Sequence, residues 1–166
     1  MDFQVCCQAE TAWQHTAALE GLPADRGSYL LGLEMPEAAR VQIGRLGSFD
    51  FPAGVYFYAG SAHGPGGIKA RVLHHACSTA RPRWHLDFLR AHALLWGGWV
   101  VCENGGVGSL ECRWSQALAG MAGAWVARGF GAADCHGGCQ AHLVGFAERP
   151  EDALIKKLLT IPRSVL

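Results

Sequence analysis

The sequence contains no apolar run long enough to span a bilayer. Its first residues, MDFQVCCQAE, lack the basic and apolar stretches of a secretory signal. Charge is also scarce, since 17% of the residues are charged and 14 basic side chains balance 14 acidic ones. A net charge of zero disfavours strong nonspecific binding to nucleic acid. Half of the residues are apolar, which excludes a disordered chain. We therefore expect a globular, cytoplasmic protein without membrane contact.

The motifs of the common nucleotide-binding loops are absent as well. The glycine-rich stretch SAHGPGG, residues 61–67, has neither the lysine and hydroxyl of a P-loop nor the spacing of a dinucleotide-binding loop. It therefore predicts a tight turn that opens a helix rather than a nucleotide site.

Periodicity along the chain mixes strand and helix signals without an internal repeat. Alternating apolar residues predict a strand over residues 28–35, and the segments RVQIGRL and GVYFYAG predict two more. Helical spacing is found in IKARVLHHA, RPRWHLDFLRAH and LECRWSQALAGM. Because strands and helices do not alternate regularly, we expect one compact α+β domain with a small, largely antiparallel sheet.

Basic residues are concentrated in one part of this neutral chain. Between residues 69 and 90 a single acidic residue, Asp87, accompanies five basic ones: Lys69, Arg71, Arg81, Arg83 and Arg90. Such a local basic surface suits a phosphate backbone. A solvated helix face explains the same charges equally well.

Five side chains form the best candidate constellation for chemistry: Tyr29, Tyr58, Arg71, His75 and Glu111. Arg71 and His75 are four residues apart and share one flank of a helix. Glu111 lies in the first turn of a later helix. Taken singly, each has a structural explanation, namely strand packing, a surface ion pair or a favourable helix dipole.

The order of these residues resembles the GIY-YIG nuclease superfamily. GSY at 27–29 and YAG at 58–60 resemble its two signature tripeptides, and Arg71 falls eleven residues after the second one, in the helix where the superfamily has its arginine. His75 matches a position that the superfamily fills with tyrosine or histidine. Glu111 begins a later helix, as the superfamily's metal-binding glutamate does.

Longer blocks extend the resemblance over nearly the whole chain. RLGSFDFPAGVYFYAGSAHGPGGIKARVLHH, RWHLDFL, EC and GFGAADC…HL look like one uncharacterised branch of the superfamily, over roughly residues 27–147. The resemblance implies a nuclease domain at 27–147 between an N-terminal extension, 1–26, and a C-terminal helix and tail, 148–166. It implies a small three-stranded central sheet flanked by helices. The long separation of the two tripeptides adds an inserted hairpin.

The resemblance also implies metal-dependent hydrolysis of DNA phosphodiester bonds. Tyr29 would activate the attacking water, and Tyr58 and His75 would position or assist it. Glu111 would bind Mg²⁺ or Mn²⁺, which keeps mostly water ligands, and Arg71 would hold the scissile phosphate.

DNA is the expected partner, and RNA is not excluded. Because no specificity domain is evident, we expect another DNA-processing protein to direct any targeting. The residues expected to contact phosphate are Lys69, Arg71, Arg81 and Arg83.

Besides the long separation of the tripeptides, the sequence departs from the superfamily in two places. Ser61 stands where many members have a lysine, so one cationic phosphate contact is missing. The late asparagine has no clear counterpart, and Asp134, in roughly that region, is not assigned its role. His85 and Asp87, in the WHLDFL block, either support the site or close a helix against the sheet.

Seven cysteines, an odd and scattered set, do not resemble a secreted disulfide framework. Cys135, Cys139 and His142 have spacings compatible with metal ligands, and Cys112 could join them to complete a zinc tetrahedron. The spacing is looser than paired zinc knuckles and favours buried thiols beside a histidine. Two other functions therefore stay open: a noncatalytic nucleic-acid-binding module on the same fold, and a zinc-stabilised structural domain.

Overall fold

The computed structural model describes residues 1–7, 15–77, 81–102 and 110–160. The strands are β1 (Asp2–Cys7), β2 (His15–Ala18), β3 (Gly27–Met35), β4 (Ala39–Ile43), β5 (Gly47–Phe51), β6 (Gly54–Ala62), β7 (Leu94–Cys102), β8 (Trp125–Val126) and β9 (Leu143–Phe146). The helices are α1 (Gly67–Ala76), α2 (His85–Leu89), α3 (Leu110–Ala119) and α4 (Asp152–Leu159). None of these described helices is long and apolar enough to cross a membrane.

The main sheet is larger than expected. It has seven strands in the order β2-β1-β7-β3-β6-β9-β8, whereas β4 and β5 form a separate two-stranded sheet. The pairing of β1 with β7 is parallel and the other pairings are antiparallel, so the sheet is mixed. The fold is α+β, but the predicted small three-stranded central sheet is wrong.

The physical reason for the correction lies at the edges of β7 and β6. Each central strand has a second row of backbone N–H and C=O groups that needs partners when it is buried. The N-terminal residues supply β1 to β7, and β9 pairs with β6. Phe3 and Val5 of β1 are buried in the core, so the N-terminal segment completes the sheet.

The longest pairing, β3 with β6, runs from Gly27 opposite Ala62 to Met35 opposite Gly54. Within it, Tyr29 lies opposite Gly60 and Leu31 opposite Tyr58. Because directly opposed residues and alternate residues share a face, both tyrosines project from the same face of the sheet.

The sheet is packed on both faces, because its central strands are apolar at successive positions. One buried cluster contains Tyr29, Leu31, Tyr58, Ile68 and Val72, and so joins the tyrosine face to α1. The other contains Leu30, Phe57, Trp99, Leu110, Trp114 and Ile155, and joins the opposite face to α3 and α4.

Helix α1 is fixed to the chain that precedes β3. The backbone N–H groups of Ile68 and Lys69 donate to the carbonyls of Asp25 and Pro23, both at 2.9 Å. These bonds satisfy donors that a helix N-terminus leaves unpaired. The tight turn predicted for the glycine-rich stretch is present, and Gly66 and Gly67 adopt positive φ values of 79° and 54° there.

Replacing Phe3 tests whether β1 is part of the domain. Its side chain is fully buried, so we expect Phe3→Ala to lower the free energy of unfolding by about 3–5 kcal/mol in urea denaturation. Leu94→Ala is the control, because Leu94 is 62% exposed in β7. Equal, small effects of the two substitutions would contradict a core role for the N-terminal segment.

Candidate active site

Three of the residues predicted from the sequence meet in a buried aromatic group: Tyr29, Tyr58 and His75. Their exposed fractions are 2%, 7% and 1%. The tyrosine ring centroids are 6.4 Å apart, and each lies 5.8 Å from the imidazole centroid. Tyr29 Oη is 3.0 Å from His75 Nε2, which makes a buried hydrogen bond between β3 and α1.

Asp87 stands on the far side of His75. Its Oδ1 lies 3.6 Å from His75 Nδ1, and His74 Nε2 lies 3.2 Å from both carboxylate oxygens. The backbone N–H groups of Arg83 and Trp84 donate to Oδ2 at 2.9 and 3.1 Å. At 3.6 Å this contact is too long for a hydrogen bond, and the buried His75 Nδ1 makes none. The negative charge of Asp87 favours a proton on Nδ1, and in that tautomer Nε2 accepts from the Tyr29 hydroxyl.

The sequence left the roles of His85 and Asp87 undecided. Asp87 caps the first turn of α2 and faces the imidazole of His75. His85 Nδ1 accepts a hydrogen bond from the backbone N–H of Gly131 at 2.9 Å. It therefore ties α2 to the loop between β8 and β9.

Burial sets the protonation state of this group. Burial raises the pKa of Tyr29 well above its usual value; Tyr58 and Glu111 raise it further, whereas the Arg71 guanidinium lowers it. The pKa of Tyr58 is raised for the same main reason. Burial lowers the pKa of His75 below 6.5, although Asp87 opposes this. At neutral pH the phenols and the imidazole are therefore uncharged.

Asp87 remains ionised beside them. Burial alone would raise the pKa of this carboxyl, but the His75 imidazole, the two backbone N–H donors and His74 together hold it well below its usual value. The row of side chains Tyr29, His75 and Asp87 thus ends in a fixed negative charge.

Arg71 borders the opening next to this group. Its guanidinium lies 4.2 Å from the centroid of the Trp84 ring, a cation–π arrangement that holds the charge in place. Arg71, His74 and Trp84, with the glycine-rich loop, line a cavity of about 290 Å³.

Glu111 approaches from the first turn of α3. Its negative charge raises the pKa of both Tyr29 and Tyr58, whereas the charge of Arg71 lowers it. Its side chain is 19% exposed, and Oε1 lies 3.8 Å from His142 Nδ1. The structure therefore brings Tyr29, Tyr58 and His75 into contact, and the charges of Arg71 and Glu111 act on the two phenols.

The residues expected to bind phosphate differ in their contacts and exposure. Lys69 Nζ donates to the carbonyl of Glu20 at 2.8 Å, so its charge is held against the backbone. Arg81 and Arg83 are exposed. Arg90, also in the basic stretch, donates from Nε to the carbonyl of His75 at 2.9 Å and holds the end of α1.

Ser61 and Asp134 lie near the site without taking up a predicted role. Ser61 is half-buried in β6. Asp134 is exposed, and its charge raises the pKa of Tyr58 and of His85. It therefore contributes negative potential at Tyr58 and His85.

The candidate metal ligands Cys112, Cys135, Cys139 and His142 also meet. Their ligand atoms all lie within 4.8 Å of one another. Cys112 Sγ is 3.4 Å from Cys135 Sγ and 4.0 Å from His142 Nε2.

The ligand atoms of His74, His75 and Asp87 also lie within 4.8 Å of one another. In that group, backbone donors and the histidines already contact the carboxylate oxygens.

Sequence reasoning missed three contributors: His74, Trp84 and Gly131. The adjacent pair of histidines was a usable signal for His74, since both imidazoles lie beside Asp87. Gly131 has a φ of 71°, and a Cβ there would lie 2.9 Å from Tyr58 Cε2. No local pattern indicates that contact.

The model of a family described as domain of unknown function DUF123 matches residues 28–162. The chain therefore belongs to that family. No curated protein and no solved structure matches the chain.

Gly60 is required for the position of Tyr29. A Cβ at residue 60 would lie 2.4 Å from both Cζ and Oη of Tyr29. We expect Gly60→Ala to lower the free energy of unfolding by about 1–3 kcal/mol in urea denaturation, because the phenol must move. Gly64→Ala is the control, since nothing lies within 4 Å of a Cβ there. Equal stability of the two variants would argue against this packing.

Proposed function

We propose that the protein is a metal-dependent endonuclease of GIY-YIG type that hydrolyses DNA phosphodiester bonds in the cytoplasm. The observation that carries the proposal is the buried hydrogen bond between Tyr29 Oη and His75 Nε2, at 3.0 Å, beside Arg71 and Glu111. These are residue types that phosphodiester hydrolysis needs: a proton acceptor, a cation for phosphate and a ligand for a divalent metal.

The proton chemistry follows from the pKa directions. Tyr29 is a neutral phenol because its pKa is raised, so it can accept a proton from water only while it gives its own away. His75 Nε2 is neutral and receives that proton, and the Asp87 carboxylate stabilises the imidazolium that forms. The water oxygen bonds to phosphorus, the bond to the leaving oxygen breaks, and that oxygen takes a proton from solvent.

Arg71 supplies the phosphate contact in this proposal. A guanidinium presents a planar fork of N–H donors that pairs with two phosphate oxygens. Trp84 holds the guanidinium at the mouth of a cavity. The positive charge of Arg71 lowers the pKa of both tyrosines, whereas the negative charge of Glu111 raises it. Charge that develops on the phosphate would therefore meet a prepositioned cation.

Glu111 fits the metal that the resemblance implies. It offers carboxylate oxygen, which Mg²⁺ and Mn²⁺ prefer, and its side chain is partly exposed, so water can complete the coordination. When bound, such an ion supplies Lewis-acid polarisation of a phosphate oxygen. Glu111 itself also adds negative charge near the two phenols and keeps them protonated.

A noncatalytic module that binds nucleic acid is the second candidate. The zero net charge favours it, because phosphate contacts depend on basic side chains. The engagement of Lys69 with the Glu20 carbonyl removes one such contact. Its partner is again DNA, with RNA not excluded. In both cases a second DNA-processing protein would direct the domain to its target.

Cleavage of labelled DNA in Mg²⁺ or Mn²⁺ tests the proposal. The panel should include single-stranded, duplex and branched DNA, with RNA alongside. We expect Tyr29→Phe, Arg71→Lys and Glu111→Ala each to lower the rate by about 10²-fold or more, because each removes a group used in the transition state. Tyr56→Phe and Glu34→Ala are matched controls outside the site and should cleave like the wild type.

The binding module gives a different pattern. Retained DNA binding without cleavage by any of these proteins would support it and contradict the nuclease. Cleavage that survives in Glu111→Ala would contradict the assigned metal ligand.

The pH profile tests His75 as proton acceptor. Its pKa lies below 6.5, so the rate should be constant above that value and fall as the pH drops through the pKa, where Nε2 becomes protonated. Asp87 raises this pKa, so Asp87→Asn should move the acidic limb of kcat/KM to lower pH. The asparagine oxygen can still accept the two backbone N–H bonds. An acidic limb that stays in place would show that another group titrates.

A further inference from the structure

We propose that Cys112, Cys135, Cys139 and His142 form a structural zinc site that fixes the segment between β8 and β9 to helix α3. The site shares no ligand with the metal site of the proposed nuclease and does not depend on that activity. Its ligands are three sulfur atoms and one imidazole nitrogen, brought from α3 and from the segment between β8 and β9.

The spacing of the ligand atoms fits tetrahedral zinc. With Zn–S near 2.3 Å and Zn–N near 2.0 Å, the edges of the tetrahedron are about 3.5–3.8 Å long. The distances from Cys112 Sγ to Cys135 Sγ, 3.4 Å, and to His142 Nε2, 4.0 Å, lie on either side of those edges. All four ligand atoms fall within 4.8 Å of one another.

The ligand types select the metal. Thiolate and imidazole favour zinc, whereas Mg²⁺ and Ca²⁺ require oxygen. Four protein ligands also complete a tetrahedron, which is typical of structural rather than catalytic zinc.

The backbone is shaped around the sulfur atoms. A Cβ at residue 137 would lie 2.7 Å from Cys112 Sγ, so only glycine allows the chain to pass so close. The N–H of Gly137 donates to Cys135 Sγ at 3.3 Å, and Gln116 Nε2 donates to Cys139 Sγ at 3.8 Å. N–H donors aimed at sulfur stabilise the negative charge that metal-bound thiolates carry.

His142 is oriented as a ligand. Its Nδ1 faces Glu111 Oε1 at 3.8 Å, while its Nε2 faces the sulfur of Cys112. Ligand histidines commonly direct the second ring nitrogen to a carboxylate, which fixes the tautomer and the ring. His142 is 3% exposed, so this orientation is also held by packing.

The segment that carries the ligands has a clear need for a cross-link. Residues 127–142, all of them described by the structure, contain no helix or strand. Irregular loops of this length are uncommon in compact domains unless something holds them. Backbone bonds from Gly129 to Gln140 and from His142 to Phe130, both 2.7 Å, close the base of the loop. A zinc ion would fasten its tip to α3.

Metal content of the full chain tests the proposal without any activity measurement. The protein is expressed in zinc-supplemented medium, purified under reducing conditions without a histidine tag, and measured by elemental mass spectrometry. We expect about one zinc per chain, with absorption-edge spectra that fit three sulfur atoms at about 2.3 Å and one nitrogen at about 2.0 Å.

Cysteine variants supply the matched comparison. Cys135→Ser and Cys139→Ser should lose the zinc, whereas Cys77→Ser should keep it, because Cys77 is an exposed cysteine outside the cluster. His142→Cys should retain zinc with four sulfur ligands. Equal zinc content in Cys77→Ser and Cys135→Ser would overturn the proposal.

The wild-type protein gives a test that does not depend on folding of a variant. Co²⁺ added to chelator-treated protein should produce the intense visible bands of a tetrahedral site and a sulfur-to-cobalt charge-transfer band. A chain that holds no zinc, gives no such bands and carries a Cys112–Cys135 disulfide by peptide mapping would overturn the site. Stoichiometric iron instead of zinc would overturn the choice of metal.

Discussion

The pairing of β3 with β6 is the constraint on which the rest of the site depends. It places Tyr29 opposite Gly60, and the missing side chain at Gly60 leaves the space that the phenol occupies. Because successive strand residues face opposite sides, a slip of one residue would send both tyrosines to the face that packs against α3. The nine paired positions and the apolar residues on both faces make that slip costly.

Once the tyrosines are fixed, burial determines what they can do. A hydrogen bond in a site without bulk water is stronger than in solution, but ionising either partner there is expensive. The Tyr29–His75 pair is therefore neutral. Asp87 lies beside the imidazole, and the charges of Arg71 and Glu111 act on the phenols. In the proposed mechanism the proton that reaches His75 makes an imidazolium, and the Asp87 carboxylate beside it stabilises that charge.

Local patterns predicted the local features of this molecule. Alternation identified the strands that carry Tyr29 and Tyr58, and the four-residue spacing placed Arg71 and His75 on one flank of α1. The parallel pairing of β1 with β7 joins residues more than 90 positions apart, and nothing in the periodicity of either strand indicates it. The same limit applies to Asp87, whose position in a short helix says little about the imidazole that it faces. The resemblance to a three-stranded fold was therefore a poor guide to the edges of the sheet.

Glu111 links the two sites. One carboxylate oxygen faces His142, a ligand of the proposed zinc site, while the charge of the same side chain acts on Tyr29 and Tyr58. Gly131 makes a second link, because it packs against Tyr58 and belongs to the loop that zinc would fasten. A structural ion at this place would thus set the distance between α3 and the tyrosine face, and with it the position of Glu111, the residue proposed to bind the divalent metal. On this view the cysteines stabilise the geometry of the candidate active site and take no part in its chemistry.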